Sequence, residues 1–318
     1  MMLDPQSRAL LEKAAAANVP GPEQTSAEEA RELYKRSRLP LQPPKPEMGV
    51  VRDITIDGSR GPLTLREFRP KTPGDGKDLP ALVYFHGGGW VIGDIDTHDT
   101  LCRQLSDGSG AAVYSVNYAK APEHKFPAAV EDALLATHYV IQSHAALGID
   151  PARVGTGGDS AGGNLATVVA QSLRGKLEHP LALQLLIYPV TDLRLSMPSY
   201  ETYANGYGLT ATAMRHFRDT YLRGAADIAD TRASPLLQSD LSGMPPALVL
   251  TAGFDPLRDE GAAYADALSA AGCPAQYVCF ERQIHGFIIM GGAVEEANTA
   301  VRLCADFLRT GFGNIHAR

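Results

Sequence analysis

The sequence predicts an α/β fold, a mostly parallel central sheet flanked by helices, and three observations lead there. Four short apolar runs, ALVYF (81–85), AAVYSV (111–116), ALQLLIY (182–188) and PALVLTAG (246–253), are continuous rather than alternating, as strands covered on both faces are. Helical stretches separate them, among them PAAVEDALLATHYVIQSH (127–144) and EGAAYADALSAAG (260–272), a spacing that makes crossover units. With 318 residues, 44% hydrophobic and 20% charged, the chain can bury one large core with a subsidiary lobe.

The elements follow in order. Residues 5–17 and 26–38 read as helices, the second opened by Ser26 with Glu29 three residues on, a capping-box pattern. LPLQPPKPEM (39–48) reads as a strap to the rest of the chain. VRDITIDG (51–58) and LTLREFRP (63–70) alternate like half-buried strands around a Gly/Ser turn. After the four buried strands, AQYVCF (275–280) and a last helix near 294–310 complete the pattern. One segment breaks the alternation: residues 195–233 read as helical and aromatic-rich between two strands. The expected organisation is a core at 49–189 and 236–318, with helical segments 1–48 and 190–235 capping the strand ends.

A formal net charge of −7 argues against nucleic acid or an anionic membrane surface as partner. The opening MMLDPQSRALLEK has no continuous apolar core, so neither signal peptide nor membrane span is expected there. Cys102, Cys273, Cys279 and Cys304 form no CxxC pair, and a reduced, cytoplasmic protein is the default expectation.

Two glycine clusters carry the chemistry. In GGDSAGG (157–163), Gly158-Asp159-Ser160-Ala161-Gly162 matches G-x-S-x-G between a strand-like run and the helical LATVVAQSL (165–173). Such a strand-to-helix turn raises Ser160 above the sheet, with a helix N-terminus behind it that favours negative charge. In VYFHGGGW (83–90), three glycines follow a strand. Phosphate binding fails there, because Asp94-Ile95 stand where a Walker loop needs Lys-Ser/Thr. Asp94, Asp96, Asp99 and His98 match no metal loop and read as a polar loop and helix N-cap.

A serine hydroxyl needs a base, and the base an orienting carboxylate. His138 and His144 fall in a helix, His179 and His316 in polar surroundings, and His216 in the inserted segment. His86 and His98 flank the glycine turn and remain candidates. His285 is best placed, in a loop after the strand AQYVCFE. Asp255 follows the strand PALVLTAG directly, while Asp259 and Glu260 read as helix N-terminal charges. The order Ser160, Asp255, His285 is that of an α/β hydrolase. The glycine turn then has a job, presenting bare N–H groups to an oxyanion, with the N–H of Ala161 as a further donor.

HGGGW, GGDSAGG, GFDPLRDE and IHGF, with APEHKFPAAVEDA (121–133) between the first two, resemble the hormone-sensitive-lipase-like esterases over about residues 50–310. The resemblance implies an α/β-hydrolase fold with a helical cap. It also implies a serine carboxylesterase for short- to medium-chain esters, acting on a small-molecule ester without a cofactor. Carried over by residue, Ser160 is the nucleophile, His285 the base and Asp255 its orienter, with Gly88, Gly89 and Ala161 as oxyanion donors. His86 becomes a support of the glycine loop. Trp90, Tyr188, Tyr203, Leu209, Met214, Phe217 and Phe287 are candidate substrate contacts, with packing inside the cap as the alternative for the cap residues. Two departures stand out: Tyr118-Ala119-Lys120 where the family has Tyr-Arg-Leu, and no glycine near Arg282 or Gln283. Two other functions fit the scaffold. One is an amidase or deacetylase on the same triad. The other is a non-catalytic small-molecule binding protein such as the plant gibberellin receptors, which lack the triad histidine that His285 supplies here. The sequence leaves the oligomeric state open, homodimers being common in such families.

Overall fold

In the computed structural model, which describes residues 2–71 and 78–313, eight strands form one sheet. They are β1 (Val50–Gly58), β2 (Gly61–Arg69), β3 (Leu79–Phe85), β4 (Ala112–Val116), β5 (Ile149–Asp159), β6 (Gln184–Ile187), β7 (Ala247–Phe254) and β8 (Ala275–Ile284). The helices are α1 (Pro5–Ala16), α2 (Ala27–Arg38), α3 (Asp99–Ser109), α4 (Ala128–Gln142), α5 (His144–Leu147), α6 (Ala161–Leu173), α7 (Ser199–Thr202), α8 (Ala211–Tyr221), α9 (Arg258–Ala270) and α10 (Glu295–Gly313). The sheet runs β1-β2-β4-β3-β5-β6-β7-β8, antiparallel from β1 through β4 and parallel from there on. This is an α/β-hydrolase fold.

The central strands β3, β4, β6 and β7 are buried almost along their whole length because helices cover both faces. Val83, Phe85, Leu186 and Val249 pack into one core with α4, α6 and α9. Their neighbours Leu82, Tyr84, Leu185, Ile187, Leu248 and Leu250 pack into the other with α3 and α10. The edge strands β1 and β8 carry many exposed positions instead.

Parallel register decides where the chemistry gathers. Phe85 lies beside Gly158, Asp159 beside Ile187, Ile187 beside Leu250, and Phe254 beside Ile284. The residues that follow, His86, Ser160, Tyr188, Asp255 and His285, therefore emerge at one end of the sheet.

The first two helices form as the sequence reads them. Asp4 caps α1, its carboxylate accepting from the N–H groups of Gln6 and Ser7, and the Ser26 hydroxyl caps α2 by accepting from Glu29. The inserted segment is less helical than its composition suggests. It holds only α7, α8 and one 3-10 turn at Ala225–Ala229. Gly206 and Gly208, both at positive φ, interrupt helix propagation between α7 and α8.

Both N-terminal helices reach residues at or just beyond the strand ends. On α2, Arg31 donates to the carbonyls of Val91 (2.8 Å) and Ala121 (3.0 Å) and pairs with Glu123, while Lys35 pairs with Asp94. Beside α1, Asp4 N–H donates to the Arg282 carbonyl, and Ser7 Oγ donates to Gln283 at 2.6 Å. No helix among the described residues is long and apolar enough to cross a membrane.

Candidate active site

Ser160 sits between the end of β5 and the first residue of α6 with φ 57° and ψ −118°, a conformation rare for a residue with a side chain. The turn can be that tight because Gly162 lies against the Phe85 carbonyl, where a Cβ would collide. Ser160 N–H donates to the Ile187 carbonyl at 2.8 Å, pinning the elbow to the neighbouring strand end.

Three side chains then form one line. His285 Nε2 lies 3.0 Å from Ser160 Oγ, and His285 Nδ1 lies 2.7 Å from Asp255 Oδ2. Asp255 is fully buried, and its Oδ1 accepts from Leu257 N–H at 2.9 Å. The carboxylate therefore has one oxygen fixed by backbone and the other turned to the imidazole.

The glycine turn flanks this line. Gly88 has φ 121°, and a side chain there would strike the Ile92 carbonyl; its own carbonyl accepts from Val91 and Ile92. Among the described residues, the N–H groups of Gly88 and Gly89 have no acceptor. Ala161, as the first residue of α6, likewise has no intrahelical acceptor for its N–H. Three unspent donors, that of Ala161 at a helix N-terminus, suit an anion.

Behind the turn stands a buried polar network. Asp159 Oδ1 accepts from Tyr84 Oη (2.8 Å) and Gly87 N–H (2.9 Å), and Oδ2 lies 3.2 Å from His98 Nε2. His86 is buried, stacked on Tyr118 at 4.3 Å between centroids, with Nδ1 2.8 Å from the Gly87 carbonyl. Burial, with the charges of Lys120 and His98, holds its pKa well below the ordinary imidazole value. The loop at 94–99 is more than a solvated turn. Asp94 caps it by accepting from Asp96 and Thr97, but His98 makes no cap bond to α3 and turns its ring inward.

The candidate substrate contacts divide by burial. Trp90 is fully buried and stacks on Tyr221 at 4.3 Å between ring centroids. Phe287 is fully buried in the core against Phe280 and Tyr188. Tyr188, also buried, holds its ring 4.5 Å from the His285 ring. Phe217 of α8 lies against Gly89, and Met214 is buried one turn earlier. Leu209 packs on the same core cluster, and Tyr203 meets Phe254, Tyr207 and the Arg258 guanidinium. His316 lies outside the described residues.

Some residues escape a sequence reading. Asp159 stands inside GGDSAGG, so its position was visible and its partners were not. Gln283, beside Arg282 where the family glycine is missing, is fully buried and bridges Ser7 to Glu296 two residues before His285. Glu260, read as a helix N-terminal charge, is instead fully buried, and its Oε1 accepts from the N–H groups of Thr191 (2.7 Å) and Asp192 (3.3 Å). It thus ties the root of the inserted segment to the helix after Asp255. Asp259 accepts from Ser199 N–H and pairs with Arg258.

Burial pushes the Glu260 carboxyl up to about 8, from an ordinary value of about 4.3. The folded chain then binds the proton more tightly than the unfolded one. The stability this contributes is present below about pH 4 and is lost as pH rises towards 8. The Glu260 side chain also meets the buried Tyr200 hydroxyl, whose oxygen can accept from the amide of a glutamine placed there. Glu260→Gln is expected to raise Tm by a few degrees at pH 9 and to leave it unchanged near pH 4, as read by thermal denaturation at both pH values. An equal shift at both pH values refutes the burial of a titrating carboxyl.

A hydroxyl, an imidazole and a buried carboxylate in line at the carboxyl ends of a mostly parallel sheet, beside free N–H donors, define an α/β hydrolase. The comparisons narrow this. A family model described as alpha/beta hydrolase fold matches residues 82–289. Esterase LipI of Mycobacterium tuberculosis is 42% identical over 264 residues, covering 82% of each chain. Ethyl acetate hydrolase of Pseudomonas putida is 39% identical over 285 residues, covering 89% of this chain and 90% of the relative. Among solved structures, ester-hydrolase EH1AB1 from the metagenome of Lake Arreo, complexed with a derivative of bipyridine phosphonate, superposes with a TM-score of 0.94. It is 39% identical, covering 98% of this chain and 100% of the other. The chain belongs to the alpha/beta hydrolase family, in its hormone-sensitive-lipase-like branch, and is a carboxylic ester hydrolase.

Proposed function

We propose that this chain hydrolyses short- to medium-chain carboxylic esters through an acyl-enzyme formed on Ser160. The observation that carries the proposal is the unbroken line Asp255–His285–Ser160, at 2.7 and 3.0 Å. His285 Nε2 takes the Ser160 proton as Oγ attacks the ester carbonyl. The oxyanion accepts from Gly88, Gly89 and Ala161 N–H, each such donor contributing roughly 2.7–4 kcal/mol in comparable enzymes. His285 then protonates the leaving alkoxide, and water repeats the cycle to release the acid.

Segments 1–48 and 190–235 act as a cap in this reading, supported by the contact of Phe217 with Gly89 and of Arg31 and Lys35 with Val91 and Asp94 just after the glycine turn. Phe217, Met214, Leu209 and Tyr203 border the acyl side, Tyr188 backs the imidazole, and Trp90 and Phe287 act through packing. The relative from Pseudomonas putida is named an ethyl acetate hydrolase, which favours small acyl groups.

The test is a series of acetyl, butyryl, octanoyl and palmitoyl p-nitrophenyl esters with one anilide. kcat/KM is expected to peak between acetyl and octanoyl and to fall at least about tenfold for palmitoyl and for the anilide. A maximum at palmitoyl overturns the chain-length reading, and an anilide rate equal to the best ester overturns the ester preference.

A further inference from the structure

The network behind the glycine turn contains two titratable groups that the ester chemistry does not use, His98 and Asp159, both fully or almost fully buried. Their protonation follows from counting donors. Thr97 Oγ1 accepts from Asp94 N–H at 2.9 Å and donates its single proton to the Asp94 carbonyl at 2.8 Å. With that proton spent, Nδ1 donates to Thr97 Oγ1, 3.0 Å away, and the Asp94 carbonyl, which can only accept, also hydrogen-bonds the protonated ring. At the other end of the ring, Nε2 faces Asp159 Oδ2 at 3.2 Å. Asp159 Oδ1 already accepts from Tyr84 and Gly87, an arrangement that favours the ionised carboxylate. Both ring nitrogens therefore carry protons, and the ring is an imidazolium.

The surroundings agree. The titratable groups around His98 are Asp159 at the end of β5, Asp94 in the preceding turn, and His86 at the end of β3, its ring centroid 5.6 Å away. Asp99, next in the chain, is occupied by Lys45 and Arg103, with Arg66 beyond. Burial works against charging His98, yet the Asp159 carboxylate and its hydrogen bond outweigh it and raise the His98 pKa above its ordinary value. For Asp159 burial likewise opposes charge, and His98 and Tyr84 hold its pKa below the ordinary value.

We propose that His98 and Asp159 form a buried imidazolium–carboxylate pair that positions the oxyanion loop. Asp159 holds Gly87 N–H and thereby the aim of Gly88 and Gly89, while His98 neutralises a carboxylate that would otherwise oppose negative charge on the substrate. Gly87 must lack a side chain for this, since a Cβ there would meet the Asp159 carboxylate. A bare carboxylate next to the nucleophile would repel the oxyanion; paired, it is an anchor without a net charge. This rests on the oxyanion assignment above, and the residues act as positioning residues through Gly87, not by touching substrate.

Two experiments test it. Nitrogen-15 imidazole spectra of Ser160→Ala, which need no activity, are expected to show protons on both nitrogens of His98 from pH 6 to pH 8. A neutral tautomer at pH 7 overturns the pair whether or not Ser160 is the nucleophile. The second is a cycle of His98→Gln, Asp159→Asn and the double variant, read by kcat, KM and the Ki of an alkylboronic acid that places a negative oxygen where the oxyanion forms. In Asp159→Asn the side-chain carbonyl oxygen can still accept from Gly87 N–H, so removing both charges keeps the anchor. His98→Gln is expected to lower kcat and weaken boronate binding by on the order of 10- to 100-fold, with KM little changed. That lies below the roughly 10²–10³ of losing a donor outright. The double variant is expected to recover most of that loss, because no unpaired carboxylate remains. A double variant as poor as His98→Gln, or poorer, overturns the charge-neutralising role. Should His98→Gln fail to fold, the spectra on Ser160→Ala still decide the ionisation.

Discussion

Replacing Ser160 by alanine is expected to lower kcat by about 10⁶-fold, the loss seen when a serine hydrolase is deprived of its nucleophile. The change removes the hydroxyl that faces His285 Nε2, at 3.0 Å. It leaves untouched the features that hold the elbow: the Ser160 N–H bond to the Ile187 carbonyl and the fit of Gly162 under Phe85. Alanine at φ 57° carries the same backbone strain as serine, so the variant is expected to fold with a Tm near that of the parent. Steady-state kinetics with an acetyl ester, together with a melting curve, checks both halves. Residual kcat within tenfold of the parent sinks the nucleophile assignment.

Asp255→Asn is expected to lower kcat by about 10⁴-fold, or about 5.4 kcal/mol of transition-state stabilisation. The reason is a tautomer. Asp255 Oδ1 accepts from Leu257 N–H, so an asparagine keeps its carbonyl oxygen there and turns its amide towards His285 Nδ1. Nδ1 must then accept, which places the imidazole proton on Nε2, facing Ser160 with no lone pair to offer. Geometry survives and basicity at the right atom does not. Because a hydroxide-rich medium can deprotonate the serine directly, the deficit is expected to shrink as pH rises. A loss below tenfold at neutral pH means that Asp259 or another carboxylate orients the base.

Much of this was legible before any fold was known. G-x-S-x-G between a strand and a helix, a glycine turn after an earlier strand, and the chain order Ser160, Asp255, His285 identify the chemistry, because each motif states a local backbone requirement. Asp259 and Glu260 show the limit. They are neighbours in sequence with the same apparent role as helix N-terminal charges, yet Asp259 pairs with Arg258 and Glu260 is buried on Thr191 and Asp192. Burial is a property of what packs on a residue from elsewhere. The inserted segment shows the same limit: its composition favours helix throughout, while Gly206 and Gly208 at positive φ separate the short α7 from α8.

The sequence alone therefore determined the fold class and the mostly parallel sheet implied by its crossovers, and it supplied the candidates for the proposed chemistry, since these rest on periodicity, turn requirements and motif order along one chain. Tertiary structure alone decided that His98 turns inward to Asp159 across 61 residues, that Ser7 reaches Gln283 across 276, and that Glu260 holds the inserted segment. The physical reason is that hydrogen bonding and burial act through space. A side chain's ionisation depends on the donors and charges that packing brings to it, and a linear pattern does not record them.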